Sequence, residues 1–415
     1  MKGAEEYRYL RLKIRRAKYN WLAEMGQDGS KFAGYLLRRK GRYLCEVKSI
    51  AEQAEETIFL FDQSPQTRIS PDFGTHETLT EKTIHSSLNA YFLKDTIASA
   101  KTNLIEQAGV LLVPNDLIDQ RDTIEIDTGA IGFLNPHYAY RFDPAPDLQE
   151  NAILIGGNGS SNWYHFVLEI APKAFMANFL PAKFDKFPLI VPFQAQTDGP
   201  FAQILQALLP NRSILTLRCD SVRVRNLVTF DEVSHGPFNL IQGSWPKVQN
   251  YSQHETVLKL VFQKLRDVLL PSFNATRQGR RIFIVRPDKY RKYNQLELLQ
   301  IASKYNFEPV SPEAHSLAEQ AQIFAEASHV VGASGAAWTN MIFAQRPFKA
   351  LTWIIPQYSQ FCSYSMLAHL LGHQLHYLTA KPTERLLSTH DAFLASYHVS
   401  PVAFEAALIQ LVGES

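Results

Sequence analysis

From about residue 150 onward the chain alternates short apolar runs with helical stretches, and this alternation constrains its fold more than any other feature. AILIGG (152–157) leads into a helix, FPLIVPF (187–193) into another over 199–209, and RVRNLVTF (223–230) follows. A Gly-, Pro- and polar-rich stretch at 234–251 predicts a linker, after which a second series opens with a helix over 254–269. Strands are then predicted at 280–286, 307–311, 329–334 and 349–353, separated by helices over 294–305, 316–327 and 336–343. Strands separated by helices imply parallel crossover units. A chain of 415 residues also exceeds what one hydrophobic core usually serves. The expected architecture is α/β, two consecutive doubly wound halves with a ligand cleft between them.

The first third reads differently. Short apolar runs such as TIFLF (57–61), GVLLV (109–113) and DTIEI (122–126), broken by Pro, Gly and Asp, predict a β-rich lead-in. Ahead of it, residues 4–25 place Tyr7, Leu10, Ile14, Ala17 and Trp21 on one helical face among six basic residues. This amphipathic basic helix has two readings, peripheral contact with an anionic membrane surface or docking on its own protein with a solvated charged face. The second is preferred.

With 42 Lys+Arg against 40 Asp+Glu, the net charge of +2 offers no reason to expect a nucleic-acid partner, so any anion must be recognised locally. Cys45, Cys219 and Cys362 are odd in number and far apart, which suits buried thiols in a reducing compartment. No apolar run approaches the ~20 residues of a membrane span, and no apolar signal core opens the chain. The expected location is the cytoplasm.

Three segments could carry chemistry. GGNGSSNWYHFVLEIAP (156–172) runs from a strand through a glycine-serine turn into a helix, where His165 and Glu169, four apart, share a face. An imidazole backed by a carboxylate at that edge could accept a proton from a hydroxyl; alternatively the two merely pair with each other in a capped helix. RRIFIVRPDKYRKYN (280–294) ends an apolar strand on Arg286 and continues through Lys289, Arg291, Lys292 and Asn294. Cations at a strand's carboxyl end, facing a helix start, suit a diphosphate, although a charge run is usually a solvated face. In VVGASGAAWTN (330–340), Gly332, Ser334, Gly335 and Ala336 would let a ligand approach the backbone, or simply make a tight turn. The chain has no Asp-x-Asp for a metal-bridged diphosphate, no Cys/His set with zinc spacing and no phosphate loop ending Gly-Lys, so no metal ligands are assigned.

Taken together these segments resemble glycosyltransferase family 61, whose bacterial members are often called capsular polysaccharide biosynthesis proteins. NWYHFVLEIAPK (162–173), IFIVRPDKYRKYNQLELL (282–299) and PVSPEAHSLAEQAQIFAEASHVVGASGAAWTNMIFAQRP (309–347) carry the match. The resemblance implies a GT-B-like fold of two Rossmann-type domains and an inverting, metal-independent transfer from a nucleotide sugar, a UDP-sugar favoured, to a capsule- or lipopolysaccharide-type glycan acceptor. It implies an acceptor-side domain over 1–240, a nucleotide-sugar domain over 252–385, and C-terminal helices over 386–415 packing back on the first. Donor binding would fall to Arg286, Arg291, Asn294, Gln320, Ser334, Gly335, Ala336, Thr339 and Asn340. Asn162 and Tyr164 would lie on the acceptor side, with His165 as base and Glu169 orienting it. Ser334 stands where the family usually has His, and LTWIIP (351–356) lacks the expected acidic residue. A polysaccharide-modifying pyruvyl transferase and a catalytically silent scaffold of a glycan-assembly complex are the rival readings.

Overall fold

Five segments of the C-terminal half form a fully parallel sheet: Arg280–Ile284, Glu308–Val310, Ala327–Ala333, Lys349–Ile354 and Gln374–Thr379. They come from a computed structural model that describes residues 43–74, 78–120, 133–134, 137–140, 147–197, 199–217, 220–237, 240, 245–271, 279–287, 291–384, 386, 392 and 395–413. The basic stretch 4–25, the run at 122–126, Cys219 and Lys289 lie outside the described residues. Numbered along the chain, the five strands stand in the order 2-1-3-4-5. Ile282, Phe283, Val330 and Val331 are fully buried, as expected of strands covered on both faces. The order reverses between Arg280–Ile284 and Ala327–Ala333, so the loops leaving their carboxyl ends diverge and open a crevice. The two strands run close together, since a Cβ on Gly332 would lie 2.8 Å from that of Ile284.

The N-terminal half is built on a ten-stranded mixed sheet. Leu148–Leu154 pairs parallel with Leu189–Ile190 and with Ser221–Phe230, as the strand-helix alternation predicts. Ser221–Phe230 then pairs antiparallel along its length with Leu88–Ser99, a strand of the β-rich lead-in. The lead-in is therefore not a separate layer. Most of its strands complete the same sheet, because the apolar edge of Ser221–Phe230 needs a partner for its backbone as well as its side chains, while Ser64–Ile69 and Thr80–His85 pair only with each other.

One continuous apolar cluster includes Leu88 and Ile153 of the first sheet, Val257 and Phe262 of helix Glu255–Leu269, and Ile282 and Tyr377 of the second. That helix turns Val257, Leu258, Val261, Phe262 and Leu265 inward at three- and four-residue spacing. The expected linker begins and ends in structure, with Ser234–His235 pairing antiparallel with Ser252–Gln253. The hairpin of Ser64–Ile69 and Thr80–His85 reaches across to the C-terminal half. There Thr67 N–H donates to Glu255 Oε1 at 2.8 Å and Ser365 Oγ donates to the Ile69 carbonyl at 2.6 Å.

Helix Pro401–Gly413, expected to fold back on the N-terminal half, instead buries Phe404, Leu408 and Leu411 against Phe283, Leu351 and Trp353. The apolar face of the second sheet is the nearer one to cover. The helix predicted at 336–343 is a 3-10 helix over Ala336–Phe343. No described helix is long and apolar enough to cross a membrane.

Candidate active site

Arg286 leaves the carboxyl end of Arg280–Ile284 where the strand order reverses, and Ser334 and Gly335 leave Ala327–Ala333 at the same edge. The side chain of Gln295 holds the Arg286 backbone from both sides, accepting its N–H at 2.8 Å and donating to its carbonyl at 3.1 Å. One Arg286 guanidinium nitrogen donates to the Ser334 carbonyl and another to the Tyr397 hydroxyl at 3.2 Å. Arg291 reaches the same carbonyl at 3.5 Å, from a left-handed backbone with φ of 51°. That conformation costs a non-glycine residue ~1–3 kcal/mol and is most often kept where a side chain must be aimed. Burial, then the like charge of Arg286, lowers the Arg291 guanidinium below the ordinary arginine range. An anion bound between the two would relieve that repulsion. Gly335 makes room for the arrangement, because a Cβ there would lie 2.7 Å from Arg286 Nη2.

The opposite wall is the helix that starts at Trp163. Asn162 caps it, its side chain accepting the Tyr164 N–H at 2.9 Å. Phe166–Ile170 is a π turn in which the Ala171 N–H bonds the Phe166 carbonyl, one residue further back than in an α-helix. His165 Nδ1 lies 2.8 Å from Glu169 Oε2, and Glu169 Oε1 accepts the Gly236 N–H at 2.8 Å. Both side chains are buried. With Nδ1 donating to the carboxylate, Nε2 is left as the acceptor nitrogen, a fixed tautomer suited to taking a proton.

A cavity of about 600 Å³ joins the two walls. Asn162, Tyr164 and His165 line it on one side, and Arg286, Arg291, Ser334, Gly335 and Ala336 on the other. Glu169 stands behind His165. The remaining expected residues stand outside the lining. Asn340 accepts from Trp163 Nε1 at 2.8 Å and donates to Gln320 Oε1 at 2.9 Å, and Gln320 donates to the His315 carbonyl at 3.0 Å. These two tie the site helix to the C-terminal half. Thr339 is fully buried beside them, because the tight 3-10 turn after Ala336 carries both residues into the core. Asn294 pairs with the Val399 backbone in both directions, at 2.9 and 3.1 Å.

Sequence reasoning missed Glu313, Tyr358, Tyr364 and Tyr397, which also line the cavity. Glu313 follows strand Glu308–Val310, and asking what leaves the carboxyl end of each strand would have found it. The tyrosines arrive from three segments with no local motif. Tyr364 packs edge-on against Tyr164 with ring centres 5.5 Å apart. Burial raises the hydroxyls of Tyr358 and Tyr364, an effect that Arg291 opposes in both, so they remain neutral hydrogen-bonding groups.

Among the described residues no group of three His, Cys, Asp or Glu could hold a metal ion. The curated proteins contain no significant match to the chain. The model of the family described as Glycosyltransferase 61 matches residues 163–351, from the first turn of the helix carrying His165 through both arginines and the Gly335 turn, so the similarity to that family takes in residues from both walls of this cavity.

Proposed function

We propose that the protein is an inverting, metal-independent glycosyltransferase of GT-B-like arrangement, moving a sugar from a nucleotide sugar to a surface-glycan acceptor. Residues 1–240 supply the acceptor side and 252–385 the donor side. The observation that carries the reading is the facing of an arginine pair at the switch point of a parallel sheet by a carboxylate-backed histidine across one cavity. In this reading Arg286 and Arg291 receive the diphosphate, with Ser334, Gly335 and Ala336 giving it close access to the backbone. A UDP-sugar is the favoured donor. Tyr358 and Tyr397 provide aromatic surface for its base, and Glu313 can accept from sugar hydroxyls.

The acceptor hydroxyl lies toward Asn162 and Tyr164. His165 Nε2 takes its proton as the oxygen attacks the anomeric carbon from the face opposite the leaving group. The bond to the diphosphate breaks, and its negative charge develops against the two guanidinium groups, which need no reorganisation to receive it. Ser334 in place of the family's histidine leaves the charge at this edge to the arginines. The test is a thermal-shift screen of sugar nucleotides and free nucleoside diphosphates on the wild type and Arg286→Ala. A stabilisation by a uridine diphosphate compound that disappears in the variant supports the reading, because a ligand that binds only the folded state raises its melting point. Equal stabilisation of both proteins sinks it.

A further inference from the structure

Beneath the His165 wall lies a buried ion pair that the transfer reaction as described does not use. Lys173 Nζ donates to Glu232 Oε1 at 2.7 Å and to the Gly156 carbonyl at 2.8 Å, and both charged side chains are almost entirely enclosed. A buried pair adds little net stability compared with apolar residues of the same size, so its presence calls for another account. Two features supply one. The first is the π turn. His165 and Lys173 are eight positions apart, and the extra residue accommodated at Phe166–Ile170 leaves an effective spacing of about seven, two turns of an α-helix. His165, Glu169 and Lys173 therefore stand on one stripe. The second is the segment after strand Ser221–Phe230. Past Asp231 it carries the Glu232 that Lys173 grips and continues to Gly236, whose N–H holds Glu169.

We infer that Lys173 and Glu232 are positioning residues for the proposed base: their ion pair fixes the 232–236 segment, Gly236 fixes Glu169, and Glu169 fixes His165. This inference rests on the transferase reading for its consequence in catalysis, but the mechanical linkage stands apart from it. The ionisable neighbours of the pair are Glu169 on its own helix and His235 on the opposing segment, which itself faces His165, with a weaker influence from Asp116.

The decisive variant is Lys173→Met with Glu232→Leu, which removes both charges and leaves neither ion unpaired in the interior. Lys173→Arg is its conservative counterpart. Hydrogen exchange, read on peptides covering 163–170 and 232–236, is expected to speed at least tenfold in the double variant, with the sheet strands unchanged, and to stay near wild type in Lys173→Arg. Turnover of the UDP-sugar identified by the thermal screen is then compared in the wild-type and His165→Gln backgrounds. Acting through His165, the double change lowers kcat about a hundredfold in the first background, with donor KM within twofold, and adds no further loss in the second. Unchanged exchange in a folded double variant overturns the linkage, and so do losses that multiply in the two backgrounds. A His165→Gln protein as fast as wild type would defeat the base assignment alone, leaving the exchange result to decide the linkage.

Discussion

The two walls of the cavity hold their polar and charged groups in place by opposite means. On the C-terminal wall Arg286 and Arg291 are half-buried, come from loops after one strand, and are aimed by backbone carbonyls, a glutamine side chain and a left-handed turn. On the N-terminal wall His165 and Glu169 are buried on a helix and aimed by a backbone N–H and a π turn above a buried ion pair. The first wall keeps its cations where an incoming anion can complete their surroundings. The second has most of its polar partners in place before any ligand arrives, which suits a group that must present one tautomer and not move.

If the walls divide the work in this way, breaking each gives a different signature. Replacing His165 with Gln should lower kcat by ~10²–10⁴-fold and leave the thermal response to a nucleoside diphosphate intact, measured as nucleotide release and as melting shift. Arg286→Ala should cost ~10²–10³-fold in kcat/KM and abolish that thermal response. A reversal of these two patterns would exchange the roles of the walls.

The buried charges beneath the N-terminal wall can be separated by pH. Burial pushes Glu232 up to about 7 despite Lys173, so the folded state holds its proton more tightly than the unfolded one, and stability from this group falls as pH rises from about 4.5 to 7. Asp231, pushed up to about 6 by burial, has the same sign. Burial holds His235 down at about 4, so its contribution is complete above 6.5 and is lost as pH falls toward 4. The slopes oppose in one window and each is worth up to about 3 kcal/mol. In a melting-temperature series from pH 4 to 7, Glu232→Gln should steepen the loss on acidification. His235→Asn should reduce or reverse it. Parallel curves for wild type and both variants would show that neither group titrates in that range.

The smallest effects sharpen the comparison within the C-terminal wall. Gly335→Ala should leave melting almost unchanged, because its Cβ meets only the movable end of Arg286, yet it should weaken nucleotide protection. Gly332→Ala, whose Cβ meets Ile284 Cβ at 2.8 Å and its backbone at 3.1 Å, should lower stability by ~1–3 kcal/mol, read by denaturant unfolding.

The C-terminal wall was largely legible in the sequence, since Arg286, Ser334 and Gly335 each follow an apolar strand whose carboxyl end had to open on the crevice. His165 and Glu169 were legible as a four-residue pair. Asn340, Gln320, Thr339 and Asn294 were expected at the donor site with their motif neighbours, but they stand outside the cavity lining: a 3-10 turn carries Thr339 and Asn340 inward, Gln320 pairs with Asn340, and Asn294 pairs with the Val399 backbone. Lys173 and Glu232 lie 59 residues apart, and no local pattern announces that they meet. The antiparallel joining of the lead-in to Ser221–Phe230 escaped for a related reason, since strand partners distant in sequence leave no periodicity to read.

The apolar cluster that runs unbroken through both sheets also governs how this protein can move. Domains that rock about a hinge meet across small, polar surfaces that separate cheaply. Here, parting the halves would wet Phe262 and its neighbours and tear the Ser64–Ile69 hairpin from its seat on the far side. The molecule resembles a fixed jaw more than a closing one.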